Sequence, residues 1–294
     1  MKIFDCTTFY NERMMMDVRF NILNEYVSKF IVVESLYSHS GKKKKLNFDI
    51  NDYPKFREKI RYIVIEEEPE GILHDEVKNK HLPYKRLNSI KRIEQSYNYM
   101  SKGIEDANDE DLIMLSDNDE IPNLQHLDFG KINNNYIIFE QLFFYFKFNL
   151  LYDRMLWFGT KACRKKKLKS FSNLRNIKNK EYPFWRLDTF FTNHKKINLK
   201  IIKNGGWHFT NLKNPVELFE KLSNFGHHDE FEASELSVEK IKEKIKNKEM
   251  FYDHFAEKES KNKWDFDYKL KKIDHEFLPE FLKINSEKYK EWFD

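Results

Sequence analysis

The stretch D-L-I-M-L-S-D-N-D-E-I-P, residues 111–122, decides how the rest of the chain is read. Leu112, Ile113, Met114 and Leu115 form a short apolar run with polar residues on both sides, which predicts a buried strand. The run stops at Ser116, and Asp117, Asp119 and Glu120 follow at once. Pro122 has no N–H to give a central ladder, so the strand is expected to end before it. Carboxylates crowded at one strand end repel one another unless a cation sits among them. Their oxygens suit a hard divalent ion such as Mg²⁺ or Mn²⁺. In open α/β sheets, ligands bind in the crevice beyond the carboxyl ends of the strands. The stretch therefore points to metal and phosphate chemistry. The plain alternative is an acidic turn that keeps the surface soluble.

Working back towards the N-terminus, residues 2–6 read as a first strand and residues 7–11 as the loop at its end. Met15, Val18, Ile22 and Tyr26 then recur at helical spacing. Residues 30–33 are a β-branched run, a second strand ending on Glu34 and Ser35. Residues 37–45 read as a polar loop, and residues 61–65 as a third strand. Ile90, Ile93, Tyr97, Met100 and Ile104 mark the clearest helix. Strands alternating with helices predict an α/β fold, a mostly parallel Rossmann-like sheet flanked by helices.

Working forward, residues 136–148 read as a long aromatic strand with Glu140 the one charge on its apolar face. Such a carboxylate is either paired or functional. Residues 199–202 suggest another strand, leading into Gly205-Gly206-Trp207-His208-Phe209. Asn214-Pro215 opens a helix, with Glu217 in its first turn and Gly226 placed to end it. His227, His228 and Asp229 follow. Ile241, Ile245, Phe251 and Phe255 recur among many lysines and predict helices with a basic face. The expected division is residues 1–235 as a catalytic domain and residues 236–294 as a helical C-terminal extension packed on it.

The chain has 294 residues, 40% hydrophobic, with 27 Phe and 15 Tyr, enough for a large core. A charge of +4 beside 52 basic and 48 acidic residues gives no case for a nucleic-acid binder. Cys6 and Cys163 alone make no disulfide framework and suit a reducing compartment. Asp5, Asn11, Glu12 and Arg13 interrupt any N-terminal signal pattern, and no apolar run is long enough to cross a bilayer. A cytoplasmic protein is expected, with peripheral membrane association through the basic C-terminal face as a lesser alternative.

Several blocks together resemble glycosyltransferase family 17. They are Phe4-Asp5-Cys6, Asn11-Glu12, Ile31-Val32-Val33-Glu34-Ser35, Tyr37-Ser38-His39-Ser40-Gly41-Lys42 and Ser116-Asp117-Asn118-Asp119-Glu120-Ile121-Pro122. Trp157 with Gly159, Leu174-Arg175, Gly205-Gly206-Trp207-His208-Phe209, Lys221 and His227-x-Asp229 complete the order, over residues 3 to 230. Two positions depart from the family pattern. Asn118 stands where Val is usual, and the helix near Ser96-Tyr97-Asn98 lacks an Arg that Arg92 replaces from one turn away.

The resemblance implies a GT-A type fold and an inverting, metal-dependent transfer from a UDP-sugar, best guessed as UDP-GlcNAc, to a glycan or glycolipid acceptor. Asp119, Asp117 and His208 are then the candidates for the Mn²⁺ or Mg²⁺ ion, with Glu120 behind them. Trp207 and His208 could equally close the core. Asp5, Glu34, Asp117 and Arg92 are candidates for the ribose, base or phosphates of the donor. An inverting transfer needs a base for the acceptor hydroxyl; Asp229 is favoured, with Glu140, His227 and His228 as the others. The cluster from His227 to Asp229 could instead serve a helix terminus.

Two other classes compete. A nucleotidyltransferase would share the carboxylates but expect a Gly-rich phosphate loop, and residues 5–13 contain no Gly. A non-catalytic carbohydrate binder would use Trp157, Trp185 and Trp207 but gives no reason for Asp117-x-Asp119-Glu120.

Overall fold

The structure, a computed structural model, describes residues 1–74, 84–183, 185–196, 198–256, 263–264 and 266–294, without the side chains of residues 187 and 190. It opens with strand β1 (Ile3–Phe9), helix α1 (Arg13–Leu23), strand β2 (Lys29–Ser35), strand β3 (Ile60–Ile65), helix α2 (Tyr84–Met100) and strand β4 (Leu112–Ser116). The four strands lie in the order β3-β2-β1-β4 and are all parallel. Every residue of β4 is buried, as expected of a parallel strand covered on both faces.

Strand alternation divides the core. Leu112 and Met114 face the side of α1, with Met15, Val18, Phe20 and Leu23. Ile113 and Leu115 face the side of α2, with Tyr97 and Met100. The expected α/β class, with helices flanking a large sheet, is found. The end of the first strand differs: β1 runs to Phe9, because Thr7, Thr8 and Phe9 pair with Val32, Val33 and Glu34.

Beyond β4 come β5 (Glu120–Pro122), β6 (Tyr136–Tyr145), β7 (Leu150–Leu151), β8 (Trp157–Arg164), the short helix α3 (Phe171–Arg175), β9 (Leu199–Ile202) and β10 (Gly206–Thr210). β8 inserts antiparallel between β4 and β6, so antiparallel strands enter the sheet here. β9 and β10 return parallel to β6. Pro122 does not simply end the strand of the acidic stretch; it closes β5, antiparallel to β10 and opposite Gly206. Gly206 has φ +132°, and a Cβ there would lie 2.1 Å from the carbonyl oxygen of Ile121, so only glycine fits. β6 stops at Tyr145, short of residue 148, because Phe146 turns into the left-handed region at φ 67°.

The chain continues through α4 (Pro215–Asn224), α5 (His228–Glu232), α6 (Val238–Asn247), β11 (Glu249–Met250), β12 (Tyr268–Lys269), β13 (Lys271–Lys272) and α7 (Glu280–Ile284). The Asn214 side chain caps α4 by accepting from the N–H groups of Val216 and Glu217. α6 packs on α4, α7 on α1, and β13 joins the large sheet through β7. Ile241 and Ile245 lie in α6 as expected, but the helix ends at Asn247 and Phe251 and Phe255 fall outside any helix, Phe251 buried just after β11 and Phe255 57% exposed. Both cysteines are buried and free. Among the described residues no helix is long and apolar enough to cross a membrane.

Candidate functional site

A cavity of about 350 Å³ opens at the carboxyl ends of β1, β2 and β4. Asp117, Asn118 and Asp119 form one wall, Arg92, Ser96 and Tyr97 of α2 another, and Lys221, Gly226 and His227 a third. The strand-end position follows from the parallel sheet: β1 and β4 are neighbours and stop side by side, so the loops after both must open onto the same space.

The acidic turn is held from within. Glu120 is fully buried; its Oε2 accepts from the N–H of Asp117 at 2.9 Å and its Oε1 from the indole N–H of Trp157 at 2.7 Å. Arg175, at the end of α3, places Nη2 2.6 Å from Asp117 Oδ2 and Nη1 3.4 Å from both oxygens of Glu120. Asp119 Oδ1 lies 3.5 Å from His208 Nε2, and its Oδ2 lies 3.9 Å from Lys221 Nζ. The His208 ring packs against both Trp157 and Phe143, at centroid distances of 4.4 and 4.7 Å. Its Nδ1 is buried and has no hydrogen-bond partner among the described residues.

The two aspartates are driven in opposite directions. Desolvation by the surrounding protein pushes the Asp117 carboxyl up to about 6 although its side chain stays 40% exposed; Arg175 opposes the rise, and Glu120 and Asp119 add to it. Burial would also raise Asp119, but His208 and Lys221 together outweigh it and hold that carboxyl at about 2.

Of the residues named from sequence, Asp117, Asp119, Arg92 and His227 line the cavity, and His208 joins them through Asp119. Arg92 is already engaged there: Nε and Nη2 donate to Glu68 at 2.8 and 3.1 Å, and Nη1 to the carbonyl of His39 at 3.1 Å. Gly41, at φ +93°, makes room for it, since a Cβ there would lie 2.5 Å from Arg92 Nη2. His227 bridges Arg86 Nη2 at 2.7 Å and Glu230 Oε1 at 2.8 Å.

Asp5, Glu34, Glu140 and Asp229 are not among the lining residues. Asp5 is buried against Arg19, Oδ1 at 2.5 Å from Nη2 and Oδ2 at 2.8 Å from Nε. Glu34 is buried too, accepting from Lys44, the N–H groups of Asn47 and Phe48, and the Tyr62 hydroxyl; it organises the loop after β2. Glu140 pairs with Lys203 at 2.7 Å. Asp229, on α5, has Oδ1 buried with no hydrogen-bond partner among the described residues.

Sequence reasoning gave no role to Arg175, Lys221 or Glu12. Glu12 Oε2 accepts from the N–H groups of Tyr10 and Asn11 and, at 2.8 Å, from Asn118 Nδ2. The unusual Asn between the aspartates therefore ties their turn to the end of β1. A second cavity of about 250 Å³ shares Glu12, Asp119 and Lys221 with the first and is also lined by Trp292. The available signal was a scatter of single charged residues in separate blocks, which sequence spacing does not join.

Among the described residues, no group of three or more His, Cys, Asp or Glu side chains is arranged to hold a metal ion. A hard ion carried by substrate phosphates needs fewer, one or two protein groups completing its shell. Asp119 beside His208 meets that requirement.

The family model for glycosyltransferase family 17 matches residues 1–293. No curated protein matches the chain. Among solved structures, the crystal structure of HddC from Yersinia pseudotuberculosis superposes with a TM-score of 0.31 at 12% identity, covering 68% of this chain and 91% of that one. A superposition that loose supports no argument about this chain.

Proposed function

The chain belongs to glycosyltransferase family 17, and from that premise we propose a metal-dependent, inverting transfer from UDP-GlcNAc to a glycan hydroxyl on a GT-A type fold. Family membership supports glycosyl transfer from a nucleotide sugar to a glycan acceptor; the sugar, the ion and the stereochemistry are our reading. The observation that carries it is Asp119 facing His208 Nε2 at 3.5 Å beside a cavity at the strand ends.

A nucleoside diphosphate leaves only if its developing charge is neutralised. A Mn²⁺ or Mg²⁺ ion held by Asp119 and His208 would supply Lewis-acid stabilisation of the departing diphosphate. The chain's own residues do the rest. Lys221 adds a positive charge beside Asp119, and Trp157 and Phe143 fix the His208 ring by stacking. Glu120 and Arg19 hold the turn, so the aspartates are in place before substrate arrives. Asp229 is the base we assign to the acceptor hydroxyl. What supports the assignment is that its Oδ1 has no hydrogen-bond partner among the described residues and that it stands two residues from His227 of the cavity wall. Residues 1–235 carry this chemistry, and residues 236–294 serve by packing, α6 on α4 and α7 on α1.

Calorimetric titration with UDP-GlcNAc, with and without Mn²⁺, tests the reading. Binding that depends on the ion is expected. Binding that is equally tight in EDTA removes the metal from the account, and no binding in either condition removes the donor.

A further inference from the structure

Arg175 is a cation of the cavity wall with a firmly anchored backbone. Its helix α3 starts on the Ser170 hydroxyl, which accepts from the N–H of Asn173 at 3.0 Å. It ends on Lys161, whose Nζ donates to the carbonyls of Arg175 at 2.5 Å and Ile177 at 2.6 Å. The backbone is pinned at both ends, while the side chain remains 28% exposed and faces the cavity.

Its two carboxylate partners are not equivalent. Glu120 is fully buried and also accepts from Trp157 and from the Asp117 N–H, so its charge is satisfied without Arg175. Asp117 is 40% exposed, and the Arg175 guanidinium is the one hydrogen-bond donor to its carboxylate among the described residues. The pair that can open is therefore Arg175 with Asp117. The planar guanidinium fork that now meets a carboxylate matches phosphate oxygens equally well.

Charge decides when it opens. A divalent cation alone would compete with Arg175 for Asp117 and leave the guanidinium without a counter-charge. A nucleoside diphosphate alone would bring negative charge up to Asp117 and Asp119 and compete with them for the same cation. Arriving together, the two positive charges of the ion offset the two of a diphosphate diester, so the net charge of the site is unchanged.

We infer that Arg175 is an exchangeable counter-charge, paired with Asp117 before ligands bind and turned onto the donor diphosphate when nucleotide and divalent cation bind. The inference rests on the nucleotide-sugar reading above. It makes ion and nucleotide binding cooperative, with Arg175 as the coupling element.

The test uses the full chain with Mn²⁺ alone, UDP alone, UDP with Mn²⁺, and uridine, followed by Mn²⁺ electron paramagnetic resonance and calorimetry. In the wild type, Mn²⁺ and UDP should tighten each other within the roughly 5–150-fold range of typical site–site coupling. Arg175→Ala should bind Mn²⁺ alone several-fold tighter and UDP with Mn²⁺ several-fold weaker, so the coupling collapses while uridine affinity is unchanged. Arg175→Lys keeps the charge without the fork and should fall between. A purely structural role would weaken uridine as much as UDP, and that result overturns the inference. Coupling that survives in Arg175→Ala overturns it alone. A wild type that binds neither UDP nor Mn²⁺ overturns it together with the donor reading.

Discussion

Arg19 of α1 and Asp5 of β1 form a bidentate ion pair at 2.5 and 2.8 Å with both side chains buried, directly beneath the acidic turn. The remaining nitrogen of Arg19, Nη1, reaches the carbonyls of Glu120 at 2.7 Å and Asp117 at 3.3 Å. One guanidinium thus links the first strand, the first helix and the turn that bears the candidate site.

Breaking that pair from one side leaves a buried charge unmatched, which costs about 3–5 kcal/mol. Arg19→Ala should lower stability in urea by that order and loosen the turn, so nucleotide affinity falls as well. A loss below about 1 kcal/mol, the scale of an ordinary substitution, would contradict the role given to this pair.

The pH dependence of stability should show two partly buried histidines. Burial, with the nearby Arg92, lowers His39 from 6.5 to about 4; burial, with His208, lowers His254 by the same amount. Both pKa values are depressed on folding. Their contribution is therefore complete above about 6.5 and is lost as pH falls towards 4, because the unfolded chain takes up protons that the folded chain refuses. Urea midpoints measured from pH 7.5 to 4 should decline across that window, and His39→Gln should flatten the decline. An unchanged acid limb in His39→Gln would remove His39 from the explanation.

How much of this was legible in the sequence depends on the kind of contact. The uninterrupted run from Leu112 to Leu115 marked a buried strand, and its carboxyl end marked the cavity, because burial on both faces and strand-end binding leave local signatures. Asp5, Glu34 and Asp119 look alike in sequence, each an acid at a strand end. Arg19 and Lys44 occupy the first two, while Asp119 is left in the cavity wall. That distinction is tertiary and has no local sign. Arg175 is brought to Asp117 by a helix that follows β8, and its 58-residue separation from Asp117 hides the pair. The left-handed turn at Phe146 has no composition cue, since the residue is neither Gly nor Asn.

Asp229 and Glu140 separate the base assignment. Asp229→Asn preserves shape and removes proton affinity, so UDP-GlcNAc binding should survive while kcat falls by about 10²–10⁴-fold. Glu140→Gln should leave kcat near wild type, because its carboxylate is already paired with Lys203. A large loss in Glu140→Gln with a normal rate in Asp229→Asn would move the base to Glu140.

The central claim is that a divalent ion at Asp119 makes the nucleoside diphosphate leave. UDP release from UDP-GlcNAc as its sugar passes to a glycan hydroxyl or to water, followed in wild type and in Asp119→Ala with Mn²⁺ or EDTA, tests it most directly. Wild type should turn over only with the ion. Asp119→Ala should lose about 10²-fold or more in rate while retaining a cooperative unfolding transition. Full activity in EDTA, or in Asp119→Ala with Mn²⁺ present, would contradict the account.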